Sequence, residues 1–406
     1  SCNLATLVGH GTIRLSVMGF EARKPTDREL GVMKMLVEEA MQAGAFGLSS
    51  GLYYPPGVYA ETDELVELCR VVAKYGGTYF THIRGESDTL IDSVKEAIEI
   101  GERSGVPVQI SHLKVAGAKN WGKSPEVLKI IEEARKRGVD VTFDQYPYTA
   151  GMTGLSALLP PWARVGGDEM MIKRLKDPNE RRKIKNDFEK GLPGWQNTVG
   201  DVGWSNIYLA FVEKEENKFL EGKNFKEISD IKNCDPASAY FDLLIDEKGK
   251  GSIVVFMMSE DDVINIMKSP FQMFGTDGWA VSPKGILSHG KPHPRFYGTY
   301  PRVLGRYVRD MGVLRLEEAI RKMTSLPAQK LGLRDRGLLK EGFWADIVIF
   351  DPEKIMDKAT YQNPHQFPEG IDHVIVNGTV VVSQGEHNGA LPGKVLRLKR
   401  INFNTL

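Results

Sequence analysis

Short apolar runs alternate with segments that carry helix start and stop signals through the first 144 residues of the chain. The apolar runs predict buried strands at residues 4–8, 45–49, 78–82, 108–112 and 139–144. Strands that alternate with helices at this spacing pair in parallel and place the helices outside the sheet. A chain of 406 residues is long enough to bury such a core and to form two or three domains.

Local signals predict where several of the intervening helices begin. Thr26 and Glu29 have the spacing of a capping box, in which each side chain bonds the backbone N–H of the other residue. Ser124 before Pro125 predicts an N-cap followed by a proline in the first helical turn, and Ser87 predicts the cap of the preceding helix. These signals place helices between the predicted strands.

The alternation stops after residue 148 and resumes near residue 271. The segment between them is charged and rich in Trp, Gly and Pro, which predicts an insertion in the loop after the fifth strand. Near the C-terminus, strand-like runs flank Asn377-Gly378, a dipeptide typical of hairpin turns. The predicted organisation is a barrel part at 1–151, an inserted subdomain at 152–250, a second barrel part at 251–342 and a β-sandwich module at 343–406.

Polar residues close three of the apolar runs, namely His82, His112 and Asp277. In a βα barrel, residues at the carboxyl ends of the strands converge on one rim, where the active site lies. Imidazole and carboxylate groups are common zinc ligands. The pattern therefore predicts a metal-assisted hydrolase site with these three side chains around one cation. The alternative is that each of them is a hydrogen-bonded structural residue.

A basic residue follows each histidine by two positions, Arg84 after His82 and Lys114 after His112. A cation beside a metal site is suited to a substrate carboxylate, although either residue could instead reach solvent or pair with Glu86. Loop tyrosines are further candidates, because a phenol can donate a hydrogen bond to the same ligand or can simply be packed. The three considered are Tyr54, Tyr146 and Tyr148.

A competing motif lies at residues 117–124, which match the G-x-x-x-x-G-K-[ST] phosphate-loop pattern between a predicted strand and a predicted helix. Trp121 inside the turn and Pro125 directly after it disfavour a phosphate cradle. The pattern leaves nucleotide binding open as an alternative function.

The charge balance restricts the class of partner. Lys plus Arg and Asp plus Glu each number 53, so the net charge of zero gives no support for a nucleic-acid or anionic-membrane partner. No run approaches the length of a membrane span, and the first residues show no signal-peptide pattern. Three cysteines without a CxxC motif fit a reducing compartment. We therefore expect a cytoplasmic protein that acts on a small molecule.

With these motifs the chain resembles the N-acyl-D-amino-acid deacylase (D-aminoacylase) branch of the amidohydrolase superfamily. The resemblance extends nearly from end to end and is specific only when its motifs are taken together. Besides the two histidine motifs, it is carried by residues 7–11, 47–56, 144–148, 275–278, 293–295, 300–305 and 345–348.

The resemblance implies an α/β fold, a TIM-like (β/α)8 barrel with an inserted subdomain and a β-sandwich built from both chain ends. It implies Zn²⁺ at one tight site, with a second, weaker site as an option, and His82 and His112 as ligands of the tight site. It also implies that Asp277 is the catalytic acid/base. Lys114 and Tyr54, together with Tyr146 or Tyr148, resemble the groups that hold the substrate carboxylate.

One departure from the family pattern concerns the first barrel strands. The family carries an HxH pair at the end of its first strand and a Cys or modified Lys on the next, and this sequence contains no HxH. It shows about six of the eight strands that a barrel requires. We therefore expect the first strands of the barrel to lie outside this sequence.

The expected activity is zinc-dependent hydrolysis of the amide bond of N-acyl-D-amino acids, which releases a carboxylate and a D-amino acid. Three alternatives remain at this stage. They are a cyclic-amide hydrolase of the dihydroorotase type, a deacylase fragment without catalysis, and a nucleotide-binding protein that uses the phosphate-loop pattern.

Overall fold

The computed structural model describes residues 2–399. The strands of this part of the chain are β1 (Val8–Gly9), β2 (Gly47–Gly51), β3 (Thr78–His82), β4 (Val108–Ile110), β5 (Val141–Gln145), β6 (Ala150–Gly154), β7 (Ile207–Phe211), β8 (Ser252–Phe256), β9 (Gln272–Phe274), β10 (Ile347–Phe350), β11 (Ile371–Val376), β12 (Thr379–Ser383) and β13 (Glu386–His387). The α-helices are α1 (His10–Met18), α2 (Asp27–Gln42), α3 (Thr62–Lys74), α4 (Leu90–Ser104), α5 (Ser124–Lys136), α6 (Gly167–Lys176), α7 (Pro178–Lys190), α8 (Thr198–Val202), α9 (Phe225–Lys232), α10 (Pro236–Asp246), α11 (Glu260–Lys268), α12 (Arg295–Arg302), α13 (Leu316–Met323) and α14 (Ser325–Lys330), and a π-helix follows α12 at Val303–Asp310.

Six strands form a parallel sheet in the order β1-β2-β3-β4-β5-β9, with α1 to α5 in the connections between the first five strands. Parallel strands joined by helices are buried on both faces and so need apolar side chains on both. Four neighbouring strands accordingly contribute fully buried residues, Leu48, Tyr79, Ile110 and Phe143. This is the TIM-like α/β barrel architecture predicted from the strand–helix alternation.

Two of the predicted strands are too long at their carboxyl ends. β4 ends two residues before His112, and β9 ends three residues before Asp277. His112 and Asp277 have backbone φ angles of 39° and 44°, which are uncommon for residues with a side chain and cannot continue an extended strand. The backbone therefore turns at both residues, and neither residue belongs to the strand before it.

The helix-start signals are partly right. The capping box is confirmed, because the Glu29 N–H donates to Thr26 Oγ1 at 3.3 Å and the Thr26 N–H donates to Glu29 Oε2 at 2.7 Å. The predicted caps at Ser87 and Ser124 are wrong, since α4 begins after Thr89 and Ser124 is the first residue of α5. The Ser124 hydroxyl instead accepts a bond from the Asn265 side chain at 2.9 Å.

The segment between β5 and β9 contains a second, antiparallel sheet in the order β6-β8-β7. Helices α6 to α8 connect β6 to β7, and α9 and α10 connect β7 to β8. Their core is rich in aromatic rings that contact one another, including Phe188, Trp204, Phe225, Tyr240 and Phe241. Because β6 follows β5 after a short turn, this sheet lies beside the rim of the barrel.

The C-terminal strands β10 to β13 form one antiparallel sheet in the described residues. Asn377 and Gly378 connect β11 to β12 with φ angles of 49° and 81°, the positive pair that a tight hairpin turn requires. The start of the chain joins this module, because Leu4 exchanges backbone hydrogen bonds of 2.9 and 2.7 Å with Lys394 and Leu396. Leu4 therefore forms an isolated parallel bridge, and the predicted strand at 4–8 is reduced to β1.

No helix in the described part of the chain combines the length and the apolar composition that crossing a bilayer would require.

Candidate active site

A cavity of about 700 Å³ opens at the carboxyl ends of the barrel strands, between the rim and the β6-β8-β7 sheet. Active sites of βα barrels are built at this face. The residues predicted from the sequence that line the cavity are Tyr54, His82, His112, Lys114, Tyr146 and Asp277. Two predicted residues, Arg84 and Tyr148, lie outside it.

The two imidazoles face each other inside the cavity. The Nδ1 atom of His82 lies 2.9 Å from the Nε2 atom of His112, and the ring centroids are 4.5 Å apart. Burial lowers the pKa of His82 to about 3, so its ring is neutral at physiological pH. A neutral imidazole is the form that binds metal ions, and the two nitrogens converge as ligands of one ion do.

Glu86 is a candidate site residue that the strand-end pattern missed. Its Oε1 atom lies 3.0 Å from Nδ1 of His112, the ring nitrogen that faces away from His82. A carboxylate in this position accepts the Nδ1 proton and orients a metal-binding imidazole. Burial alone would raise the pKa of Glu86, but Lys114 and the two imidazoles hold that pKa below its ordinary value. The available signal was a carboxylate four residues after His82.

Within the described residues, His82, Glu86 and His112 form one group of potential ligand atoms that all lie within 4.8 Å of one another. Asp277 lines the same cavity but does not belong to this group. The prediction that Asp277 is a ligand in one cluster with both histidines is therefore not met by the geometry. The turn at Asp277 directs its carboxylate to a different partner.

That partner is Arg295, whose Nη2 atom lies 2.8 Å from Oδ2 of Asp277. The Arg295 side chain is 2% exposed, and its Nε and Nη1 atoms have no hydrogen-bond partner within the described residues. Its guanidinium carbon lies 4.5 Å from the centroid of the Tyr146 ring. Buried guanidinium N–H groups without partners are costly, so this arrangement is suited to an anionic ligand.

His293 fixes the start of the helix that carries Arg295. Its Nδ1 atom accepts the Arg295 backbone N–H at 3.0 Å, and its Nε2 atom donates to the Ala150 carbonyl at 2.8 Å. Both ring nitrogens are thus used within the protein. His293 positions Arg295 and is fully buried, so it has a structural role.

Lys114 lies between Glu86 and the histidine pair. Its ammonium group donates to Glu86 Oε1 and lies 2.7 Å from Nδ1 of His112. It also lies 5.6 Å from the centroid of the Tyr146 ring. Lys114 therefore pairs with Glu86, one of the two possibilities that the sequence left open, and it also lines the cavity.

Asp144 supports the turn at His112. Its Oδ1 atom accepts the His112 backbone N–H at 2.8 Å, and its Oδ2 atom accepts a bond from the Gln109 side chain at 2.8 Å. Burial raises the pKa of Asp144 against these two hydrogen bonds. An uncommon φ angle persists only where its surroundings hold it, and Asp144 provides that support at His112.

Two tyrosines reach the cavity as protonated donors. The Tyr54 hydroxyl lies 2.9 Å from Thr153 Oγ1, and its ring centroid lies 5.1 Å from that of His82. Burial raises the pKa of both Tyr54 and Tyr146 above the ordinary value, so both phenols keep their protons at neutral pH.

The predicted role of Arg84 in substrate binding is not supported by its position. Arg84 donates to Glu96 at 2.8 and 3.0 Å and to the carbonyls of Val58 and Ala60 at 3.1 and 3.0 Å. The chain leaves the strand at His82, so the side chain two positions later turns toward α4 and not into the cavity.

The predicted role of Tyr148 in substrate binding is likewise not supported by its position. Tyr148 is 3% exposed and lies behind the cavity wall, where its hydroxyl donates to Asp357 Oδ2 at 3.4 Å. The Arg302 guanidinium carbon lies 4.8 Å from its ring centroid. Of the two tyrosines near the end of β5, only Tyr146 reaches the cavity.

The phosphate-loop pattern at residues 117–124 does not form an anion cradle. The Gly122 and Ser124 N–H groups donate to the carboxylate of Asp262 at 2.9 and 3.3 Å. The ammonium group of Lys123, the lysine of the motif, donates to Asn120 Oδ1 at 2.6 Å. Side chains of the protein therefore take the donors that a phosphate would need.

A barrel rim that combines an imidazole pair, a carboxylate and buried cations defines the class of metal-dependent amidohydrolases. The model of the amidohydrolase family matches residues 246–382. The D-aminoacylase of Alcaligenes xylosoxydans xylosoxydans is 37% identical over 395 residues, covering 97% of this chain and 70% of that protein. The N-acyl-D-glutamate deacylase of the same organism is 35% identical with the same coverage.

Solved structures agree with the sequence comparison. The N-acyl-D-glutamate deacylase from Bordetella bronchiseptica, determined with zinc and a phosphonate inhibitor, matches with a TM-score of 0.79 and 33% identity, covering 97% of this chain and 72% of that one. The chain belongs to the D-aminoacylase family, the N-acyl-D-amino-acid deacylases of the amidohydrolase superfamily.

Proposed function

We propose that the protein hydrolyses the amide bond of N-acyl-D-amino acids with the help of a bound zinc ion. The observation that carries the proposal is the presence, in one cavity, of an imidazole pair, the carboxylate of Asp277 and the cations of Lys114 and Arg295. Relatives named as deacylases of N-acyl-D-amino acids, one of them determined with zinc, support the choice of substrate and metal.

The donor set fits a zinc ion. The Nδ1 atom of His82 and the Nε2 atom of His112 lie 2.9 Å apart, and a carboxylate lies 3.0 Å from the other ring nitrogen of His112, as in many zinc sites. His82 and His112 would be the ligands, and Glu86 would orient His112. A zinc ion supplies a Lewis acid that polarises an amide carbonyl and lowers the pKa of water.

The cations beside Tyr146 would bind the carboxylate of the substrate. Arg295 presents two unpartnered guanidinium nitrogens, and Lys114 and the Tyr146 hydroxyl add further donors. Charge-assisted hydrogen bonds of this kind hold a carboxylate firmly and in one orientation. They would fix the scissile amide relative to Asp277, which touches Arg295.

Asp277 is the carboxylate in position to move protons, because its side chain is 40% exposed to the cavity. It would take a proton from the water that attacks the amide carbon and pass it to the leaving nitrogen. The carbon–nitrogen bond breaks as that nitrogen is protonated. The products are the free carboxylic acid and the D-amino acid.

The direct test is an assay of the zinc-loaded protein with N-acetyl-D-methionine, N-acetyl-L-methionine and hydantoin. We expect release of acetate from the D-enantiomer and much slower reaction of the other two. Hydantoin as the best substrate would favour the cyclic-amide alternative. Absence of hydrolysis with all three compounds and both zinc and cobalt would refute the proposal.

A further inference from the structure

The charges that line the active-site cavity balance in pairs. Among the described lining residues, the cations are Lys114 and Arg295, and the carboxylates are Glu86 and Asp277. Arg295 contacts Asp277 at 2.8 Å, and Lys114 contacts Glu86. A carboxylate of a bound ligand must therefore share Arg295 with Asp277 or share Lys114 with Glu86.

Both cations approach the same aromatic ring of the cavity. The Lys114 ammonium group and the Arg295 guanidinium carbon lie 5.6 and 4.5 Å from the centroid of the same ring, that of Tyr146. We assign both cations to one anion-binding locus, the carboxylate site of the proposed function. An N-acyl-amino acid fills that locus with its one α-carboxylate.

The wall formed by the inserted sheet and the loop after β9 is apolar. Its members are Met152, Phe211, Val255, Met257 and Trp279. The polar groups that line this side are hydroxyls and an amide, from Thr153, Thr198, Ser252 and Gln196. None of the described lining residues on this side carries a positive charge.

We infer that the protein selects D-amino acids with uncharged, apolar side chains and discriminates against acidic ones. This inference rests on the proposed deacylase function and specifies the substrate class of that same site. A second carboxylate on the substrate would be desolvated against the apolar wall without a cationic partner, which is strongly unfavourable. This penalty applies whether the side chain or the acyl group contacts the apolar wall, since the described residues of that wall include no cation.

The matched substrates are N-acetyl-D-glutamate and N-acetyl-D-glutamine, which differ by a charge at nearly equal size, with N-acetyl-D-methionine as the apolar reference. We expect kcat/KM for the methionine substrate to exceed that for the glutamate substrate by at least about a hundredfold, with glutamine between them. Equal or faster reaction of N-acetyl-D-glutamate would overturn the inference.

A substitution on β7 tests whether the missing cation causes the discrimination. Arg295 lies close to β6, because it donates to the Met152 carbonyl at 3.4 Å. Phe211 lies on β7, which is two strand spacings, about 10 Å, away from β6. Phe211→Arg adds a cation away from the existing locus, and Phe211→Gln is the uncharged control. We expect only the arginine variant to reduce the methionine-over-glutamate preference, by about tenfold or more. An equal effect of both variants would contradict the charge argument.

Calorimetric binding of the three substrates to protein with an inactivating Asp277→Asn change separates this inference from the proposed function. Tighter binding of N-acetyl-D-methionine than of N-acetyl-D-glutamate, by tenfold or more, supports the inference even where no hydrolysis is seen. Equal binding, tighter binding of the glutamate compound, or no binding of any of the three overturns it.

Discussion

The guanidinium group of Arg295 lies 2.8 Å from the carboxylate of Asp277, and the two residues differ sharply in exposure, at 2% and 40% of their side chains. The arginine side chain is buried in the protein, whereas the carboxylate faces the cavity. This pair links the proposed proton-transfer group directly to the proposed carboxylate-binding locus. A substrate bound at Arg295 is thereby placed within reach of Asp277.

Asp277→Asn removes the proton acceptor but preserves the shape of the side chain. We expect kcat to fall by roughly 100- to 10,000-fold, the usual contribution of a general acid/base. Metal content measured by atomic emission should stay unchanged, because Asp277 lies outside the histidine group. Turnover within about tenfold of the unmodified protein would exclude the acid/base role.

Lys114→Ala removes one cation from the substrate-binding locus. We expect KM for N-acetyl-D-methionine to rise by about 10- to 100-fold, as loss of a charge-assisted hydrogen bond predicts, with a smaller change in kcat. Steady-state kinetics measure both values. An unchanged KM would argue against a contact between Lys114 and the substrate.

Arg84→Ala is the matched control for that experiment, because Arg84 lies near His82 in sequence but pairs with Glu96 outside the cavity. We expect KM to remain unchanged and the free energy of unfolding to fall by about 1 kcal/mol, from the loss of a partly exposed ion pair. A rise in KM comparable to that of Lys114→Ala would indicate that Arg84 contributes to substrate binding.

Glu86→Gln weakens the acceptor for the His112 Nδ1 proton. We expect the affinity for zinc to fall by about 10- to 100-fold, as for other carboxylates that orient a metal-binding histidine. Competition with a chromophoric chelator measures this affinity. The Glu96→Gln variant should bind zinc normally, and equal losses in both variants would point to a general destabilisation of the fold.

Lys322 provides a test of pH-dependent stability away from the active site. Its side chain is fully buried and donates to Gln272 Oε1 at 3.1 Å, and burial lowers its pKa from 10.5 to about 8. Between these two values the unfolded chain holds a proton that the folded protein has lost, so stability rises with pH in this interval. Compared with Lys322→Gln, the free energy of unfolding should rise by about 2 kcal/mol between pH 8 and pH 10.

Urea denaturation at several pH values measures this difference. If the free energies of unfolding of the two proteins differ by the same amount across the interval, Lys322 has the same pKa in the folded and unfolded states. Ionisation of the buried tyrosines lowers the free energy of unfolding only above their unfolded pKa of about 10. Below that pH, the rise in the free energy of unfolding therefore reports on Lys322.

Features that depend on local periodicity were readable in the chain. The strand–helix rhythm predicts the parallel barrel, because burial on both faces of a strand requires an unbroken apolar run. His82, His112 and Asp277 could be found because each closes a short apolar run, although β4 and β9 end two and three residues before His112 and Asp277. The capping box at the start of α2 follows from two residues three positions apart.

Contacts made by long side chains were settled by packing between distant segments. Glu86 reaches His112, and the only sequence signal for it is its position four residues after His82. Arg295 reaches Asp277 and Tyr146, although nothing in the sequence spacing reveals these two partners. Arg84 turns to α4 where the strand ends. A flexible side chain can pair in several directions of similar energy, and the neighbours brought close by the fold select one of them.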